Sequence, residues 1–142
     1  MTIATILQGK GDAVTTIAAD ASVADALALL AEHRIGAVPV MRDDAVAGIF
    51  SERDVIHCLA AHGAGGLQRP VADAMTAPAI TVERDHAVLG ALSLMTQRRI
   101  RHLPVVEDDR LVGLVSIGDL VKYRIDRIEA DAAAMRDYIQ SA

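Results

Sequence analysis

The chain has 142 residues, of which 52% are hydrophobic, 23% charged and 2% aromatic, with a net charge of −5 and one cysteine. This length allows one domain or two small halves, and the apolar content excludes a disordered protein. The acidic balance disfavours nucleic acid as a partner, and no apolar run approaches the roughly 18 residues of a membrane span.

In chain order, residues 1–13 are predicted to form an N-terminal helical arm whose Ile3, Ile6 and Leu7 cover part of the core. A first unit, 14–61, begins with a β segment at 14–17. A helix follows, with apolar residues at 23, 26, 27 and 30, the i, i+3, i+4, i+7 spacing of an amphipathic helix. Two strands and a second helix complete the unit. Because Pro39, and its counterpart Pro104 in the second unit described below, cannot donate to a ladder, their strands are predicted to be short or at an edge.

The sequence repeats itself with an offset of 65 residues. Residues 16–59 align with 81–124 without a gap, and 15 of the 44 positions are identical. The glycine-rich segment 62–70 is predicted to link this unit to a second one at 71–124, whose first β segment is expected at 79–82. A C-terminal helix is predicted over 119–140, so 125–142 extends past the repeat. Its apolar positions follow an a/d-like spacing: Val121, Ile125, Ile128, Ala132, Met135 and Ile139.

The two units resemble a known family. RIGAVPVMRDDAVAGIFSERDV and RIRHLPVVEDDRLVGLVSIGDL, with the MT of DAMT, are similar to a pair of CBS domains (cystathionine-β-synthase domains). The resemblance implies an α/β (α+β) fold of two tandem β-α-β-β-α repeats packed about a pseudo-twofold axis. It also implies a stand-alone regulatory module that binds adenosyl ligands in clefts between the repeats. AMP is the first candidate ligand, followed by ADP, ATP, NAD and S-adenosylmethionine, and no metal is required.

Each unit closes with Ser-x-x-Asp at the predicted start of a helix. Free N–H groups and the positive end of the helix dipole attract phosphate there, and a carboxylate can accept hydrogen bonds from both ribose hydroxyls. The resemblance assigns Ser51 and Asp54 to one cleft and Ser116 and Asp119 to the other. The same pattern is also close to a capping box, and capping can coexist with ligand binding.

The other candidate contacts come from the strands and from nearby cations. Aliphatic walls and backbone groups for the base are expected at Ala37, Val38, Pro39, His102, Leu103 and Pro104, and on the first strands at Thr16, Ile17, Thr81 and Val82. For the aliphatic side chains, core packing is the alternative. Arg53, Arg101 and His102 are candidate phosphate contacts, with Arg101 and His102 a basic pair beside the second cleft. Arg34, Arg98, Arg99 and Arg124 are expected to be solvent-exposed charges. Because Gly118 stands where the first unit has Arg53, two unequal sites are expected.

The sequence offers no nucleophile–base pair and no metal-ligand spacing, so an enzyme is not expected. The main alternative to a ligand sensor is an interaction protein whose clefts are vestigial. Exposed helices of the repeats and the C-terminal stripe are expected to form a homodimer. The N-terminal residues lack the features of a secretion signal, and one cysteine cannot form an internal disulfide, so we expect a cytosolic protein.

Overall fold

The computed structural model describes residues 1–141, which form two similar halves of mixed helix and strand. The helices are α1 (Ile3–Lys10), α2 (Val23–His33), α3 (Glu52–His62), α4 (Val71–Ala74), α5 (Val88–Arg98) and α6 (Ile117–Ser141). The strands are β1 (Ile17–Ala18), β2 (Ala37–Arg42), β3 (Ala45–Ser51), β4 (His102–Glu107) and β5 (Arg110–Ser116). A 3₁₀ helix at Gly63–Gln68 occupies most of the segment predicted as a glycine-rich linker.

The two hairpins have the same register, 65 residues apart. β2 and β3 pair from Ala37↔Ser51 to Arg42↔Ala45, and β4 and β5 pair from residues 102↔116 to 107↔110. Each hairpin has its irregularity at the same step, after residue 40 in the first and after residue 105 in the second. The repeated helix-and-hairpin organisation predicted from the sequence is therefore confirmed.

The strand that opens each half is shorter than the sequence suggests. β1 pairs in parallel with β2 through two residues only. In the second half Val82 makes a single bridge, donating to the Pro104 carbonyl at 3.0 Å and accepting from Val106 at 2.9 Å. Pro39 and Pro104 have no N–H group with which to extend these ladders towards earlier residues. The segments predicted at 14–17 and 79–82 therefore keep only their last residue in a ladder.

The prediction for the Pro39 strand was wrong. β2 has six residues and is the central strand of the order β1-β2-β3. Pro39 lies opposite Ile49, whose N–H and carbonyl both bond to the backbone of Thr76 at 2.9 Å instead. No ladder bond is therefore lost at the proline, which explains how a central strand accepts it.

Two hydrophobic clusters form the core, and each is completed by a segment from outside its own repeat. Ile3, Ile6 and Leu7 of α1 are buried in the cluster of the second half. Val71 and the half-buried Met75, which the sequence assigned to the second unit at 71–124, pack instead in the cluster of the first half. Each half is therefore completed by residues that lie outside its repeated block in the sequence.

The last helix begins two residues earlier than predicted and continues through Ser141. Its apolar stripe is exposed, with exposed fractions from 42% at Val121 to 65% at Ile139. On this helix Arg127 forms an i,i+4 ion pair with Asp131 at 3.7 Å, whereas Lys122 is in no ion pair within residues 1–141. No helix among these residues has the length and apolar character needed to cross a membrane.

Candidate functional site

A cavity of about 630 Å³ lies between the two halves. From the first half it is lined by residues at the start of β2, the end of β3 and the first turns of α3, including Ala37, Ile49 and Ser51. The segment after α4 contributes Thr76 and residues 78–80. The second half contributes residues 98–102, which connect α5 to β4. The cavity therefore combines one Ser-x-x-Asp motif with side chains of the opposite repeat.

Asp54 lines this cavity, and its carboxylate accepts three hydrogen bonds. Helix α3 begins directly after Ser51, so Asp54 lies in its first turn. The N–H of Ser51 donates to Oδ2 of Asp54 at 2.9 Å, its hydroxyl donates to the same oxygen at 3.1 Å, and the Thr76 hydroxyl donates to Oδ1 at 2.9 Å. The carboxylate is only 9% exposed, yet it lines the cavity. We refer to Ser51 and Asp54 as the first site.

Four arginines surround the cavity beside the first site: Arg53, Arg98, Arg99 and Arg101. Arg53 belongs to the first half and the other three to the second. The guanidinium of Arg53 donates to the carbonyl of Arg99 at 3.3 Å across the boundary between the halves. Glu52 and Asp54 are the carboxylates of the lining, so the four guanidinium groups leave an excess of positive charge. Such a surface favours an anionic ligand.

His102 lies between the two sites, since it lines the cavity of the first site and is paired in register with Ser116 of the second Ser-x-x-Asp. A methyl group on Gly36 would lie 3.4 Å from Cε1 of His102 and 3.8 Å from Glu52, so this glycine makes room for the ring. Burial lowers the pKa of His102 below 6.5, and the positive charge of the nearby Lys10 lowers it further. The carboxylates of Asp119 and Glu52 act in the opposite direction but do not cancel this shift. The imidazole is therefore neutral at pH 7, and Arg101 alone carries charge in the predicted basic pair.

The second site, Ser116 and Asp119, has a different environment. The Ser116 N–H donates to Oδ2 of Asp119 at 2.8 Å, and the Asp119 N–H donates to the Ser116 hydroxyl at 3.1 Å, which is a reciprocal capping box. Lys10 of α1 forms an ion pair with Oδ2 of Asp119 and donates to the Leu114 carbonyl at 2.8 Å. Burial raises the pKa of Asp119, but the bonds from Lys10 and Ser116 outweigh it and hold the pKa below 3.8.

Apart from Ser116 and Asp119 of the second site, the predicted contact residues divide into three groups. Those that line the cavity are Ala37, Ser51, Arg53, Asp54, Arg101 and His102. Those whose side chains are buried in the core are Val38, Pro39, Val82, Leu103 and Pro104, with Ile17 partly buried against it. Thr16 and Thr81 are exposed, and Thr16 lines a separate surface depression with Asp12, Asp43 and Asp44. The backbone at 38–39 and 103–104 thus supports the site while the side chains pack inwards.

Sequence reasoning missed several residues of these sites. Arg98 and Arg99, expected as exposed charges, are exposed and also line the cavity. Thr76 belongs to the MT pair that carried part of the family resemblance, which was the available signal for it. Lys10 had no such signal, because it precedes the repeated block and reaches Asp119 across 109 positions.

No group of three or more His, Cys, Asp or Glu side chains among residues 1–141 is arranged to hold a metal ion. The polar side chains of the cavity lining are a serine, a threonine, a histidine, two carboxylates and four arginines, a set suited to hydroxyls and anionic oxygen.

The family model described as CBS domain matches residues 12–61 and 71–126. The Arabidopsis thaliana protein named CBS domain-containing protein CBSX3, mitochondrial, is 34% identical over 148 aligned residues, which cover 98% of this chain and 72% of that protein. The family model thus matches about three quarters of the chain, and the alignment with the Arabidopsis protein extends over almost all of it.

Solved structures give the same result. The CBS-domain-containing protein ATU1752 from Agrobacterium tumefaciens superposes with a TM-score of 0.83 at 40% identity, covering 87% of this chain and 92% of that one. The CBS domain pair of protein MJ0100, in complex with 5′-methylthioadenosine and S-adenosyl-L-methionine, has a TM-score of 0.79 at 24% identity, covering 89% and 98%. The chain therefore belongs to the CBS-domain family, with two CBS domains in tandem.

Proposed function

We propose that this CBS pair is a regulatory, non-enzymatic module that binds an adenine nucleotide or related adenosyl ligand in the cavity at the first site. The observation that supports it most directly is the combination of the Asp54 carboxylate at a helix N-terminus with four arginines around one cavity. That MJ0100 is described with two adenosyl ligands bound supports the ligand class.

The proposed pose places the ribose at Asp54 and Ser51. Asp54 accepts three hydrogen bonds within the protein, and the Thr76 hydroxyl can rotate away to free one position for a ribose hydroxyl. Phosphate lies towards the guanidinium groups, and the base lies against aliphatic lining such as Ile49 and Ile80. The low aromatic content means that the base is held by aliphatic side chains and backbone groups rather than by stacking.

The positive charge of the cavity predicts an order of affinity among the candidate ligands. AMP comes first, and ADP, ATP and NAD also carry phosphate that the arginines can bind in bidentate fashion. S-adenosylmethionine has two positively charged groups, a sulfonium and an ammonium, and only one carboxylate. Its net charge is therefore positive, and we expect it to bind more weakly beside four arginines.

A thermal-shift panel with AMP, ADP, ATP, NAD and S-adenosylmethionine tests this proposal, with CMP as the control for the base. A ligand present at about 100 times its Kd adds about 2.7 kcal/mol to the free energy of unfolding, which corresponds to roughly 5–10 °C in Tm for a chain of this size. We expect AMP to raise Tm and CMP to leave it unchanged. Unchanged melting with every adenosyl ligand at millimolar concentration would contradict the proposal.

The second site, the remaining predicted contacts and the residue boundaries of the domains stay predictions. We also propose a cytosolic location, because the one cysteine, Cys58, is buried and unpaired, as is usual for proteins of reducing compartments.

A second candidate function, as an interaction module, is favoured by the exposed stripe of α6. Val121, Ile125, Ile128, Met135 and Ile139 are each 42–65% exposed on one helix. Single exposed apolar side chains are ordinary, but a continuous stripe at a/d spacing is typical of a helix that packs on another helix. We propose a homodimer through this helix, which is compatible with ligand binding in the cavity.

A further inference from the structure

Two segments cover equivalent faces of the two halves, and we call them the covering segments: residues 69–76 on the first half and 1–10 on the second. The N–H of Val71 donates to the carbonyl of Ala21 at 2.7 Å, and the N–H of Ile3 donates to the carbonyl of His86 at 2.9 Å. Because positions 21 and 86 are 65 residues apart, the two segments begin in the same place on their halves. The gapless alignment of 16–59 with 81–124 includes neither segment.

The first covering segment ends with Thr76, which satisfies two acceptors of the first half. Its N–H donates to the carbonyl of Ile49 at 2.9 Å, and its hydroxyl donates to Oδ1 of Asp54 at 2.9 Å. The donor that reaches the carboxylate is thus a neutral hydroxyl at the rim of the cavity.

The second covering segment reaches the counterparts of these two residues with one charged group, which at Asp119 bonds to Oδ2, the oxygen that also accepts from the Ser116 N–H. Its helix continues to Lys10, whose Nζ donates to the carbonyl of Leu114 at 2.8 Å and to Oδ2 of Asp119. Leu114 and Asp119 are the counterparts of Ile49 and Asp54, 65 residues later. Lys10 is held in place because Leu7, on the same helix, packs tightly over Gly113.

The two donors differ in how easily a ligand can replace them. A ribose hydroxyl can replace the Thr76 hydroxyl at Asp54 with no change in charge. Oδ1 of Asp119 accepts no hydrogen bond within residues 1–141, but a ribose hydroxyl that reaches Oδ2 would replace an ammonium group and break an ion pair that a neutral group cannot restore. The displaced ammonium would also leave its second acceptor, the Leu114 carbonyl.

We propose that Lys10 closes the second site to adenosyl ligands, so that each chain binds one ligand, at the first site. This inference rests on the proposed function, and it names the residue that makes the two sites differ in ligand binding. It differs from the sequence argument for unequal sites, which relied on Arg53 and Gly118.

Equilibrium dialysis with radiolabelled AMP counts the ligands bound per chain at saturation. We expect one for the wild type, two for Lys10→Met and one for Lys10→Arg, which keeps the positive charge. Lys122→Met is the matched control, because Lys122 is exposed on α6 and is the one other lysine of the chain. We expect it to bind one ligand. A thermal melt of each variant reports whether α1 remains packed.

Removal of each carboxylate identifies the site that is filled. In the wild type, Asp54→Asn should weaken binding about 10- to 100-fold, so that most chains carry no ligand at the lowest AMP concentration that saturates the unmodified protein, whereas Asp119→Asn should leave one ligand. Adding Asp119→Asn to Lys10→Met should return the count from two to one. Two ligands on the wild type, or one on a folded Lys10→Met variant, would overturn the role of Lys10 and leave the proposed function standing. No AMP on any variant would overturn both.

Discussion

Asp54 and Asp119 occupy the same position in a repeated motif, but their carboxylates have partners of different charge. Asp54 accepts from Ser51 and Thr76, whereas Asp119 accepts from Ser116 and from the ammonium group of Lys10. At the residue scale, the functional difference between the two halves therefore lies in what reaches the carboxylate from outside the repeat. The motif itself was recognisable from the sequence, and these partners were not, since they lie 22 and 109 positions away.

His102 gives a pH dependence whose sign follows from its environment. Its pKa is lowered below 6.5 mainly by burial and secondly by Lys10. As the pH falls below about 6.5, the unfolded chain therefore takes up a proton that the folded chain does not, and the free energy of unfolding falls. We expect His102→Asn to lose less stability than the wild type between pH 7.5 and 5.5 in urea unfolding. Equal losses in the two proteins would show that the buried imidazole is not responsible.

At the scale of elements, the hairpins and helices followed from apolar periodicity and turn residues, while the covering segments did not. Periodicity reports which face of an element is buried, but not which partner buries it. Residues 71–76 adjoin the second repeat in sequence and pack on the first half, and α1 packs on the second half. The glycines in β3 and β5 permit this contact, since a side chain there would meet the covering segment.

Substitution of these two glycines should have unequal effects. A Cβ on Gly48 would lie 2.6 Å from the backbone carbonyl oxygen of Thr76, whereas one on Gly113 would lie 2.8 Å from a methyl group of the Leu7 side chain. A backbone atom yields less easily than the end of a side chain. We expect Gly48→Ala to lower the free energy of unfolding by about 1–3 kcal/mol and Gly113→Ala to lower it by less.

Gly65→Ala is the matched control, because no atom lies within 4 Å of a Cβ built there. We expect this change to stay within about 0.5 kcal/mol of the wild type. Urea unfolding of the three variants measures the order, and a Gly113→Ala variant less stable than Gly48→Ala would contradict it.

At the scale of the whole molecule, the chain is a CBS pair whose last helix extends beyond the second half with its apolar stripe exposed. If this stripe is a dimer interface, the protein should have a mass of twice 15.0 kDa in solution. A carboxylate at its centre would then be buried without a partner. We therefore expect Ile128→Asp to shift the protein to the monomer in size-exclusion chromatography with light scattering.

Ala130→Asp, on the same helix but off the stripe, is the control and should remain dimeric. A wild-type monomer would contradict the proposed homodimer, as would an Ile128→Asp variant with unchanged mass.

The overall architecture was the most predictable feature, because a gapless repeat of 44 positions predicts two similar units whatever their details. The cavity was only half predictable. Ser51 and Asp54 follow from the motif, but the approach of Arg98 and Arg99 from the opposite half depends on how the two units pack. That packing is set by contacts between distant parts of the chain, which the pattern within one repeat does not report.

Isothermal titration of AMP into the wild type and into Asp54→Asn tests the central claim most directly. The variant keeps one side-chain oxygen to accept from Ser51, and its amide can donate to the Thr76 hydroxyl, but it removes the charge, which is worth roughly 1.5–3 kcal/mol in hydrogen bonds to a ligand. We predict binding to the wild type, about 10- to 100-fold weaker binding to Asp54→Asn, and unchanged binding to Asp44→Asn, an exposed carboxylate outside the cavity. Absence of binding to the wild type, or equal affinity for Asp54→Asn, would contradict the account.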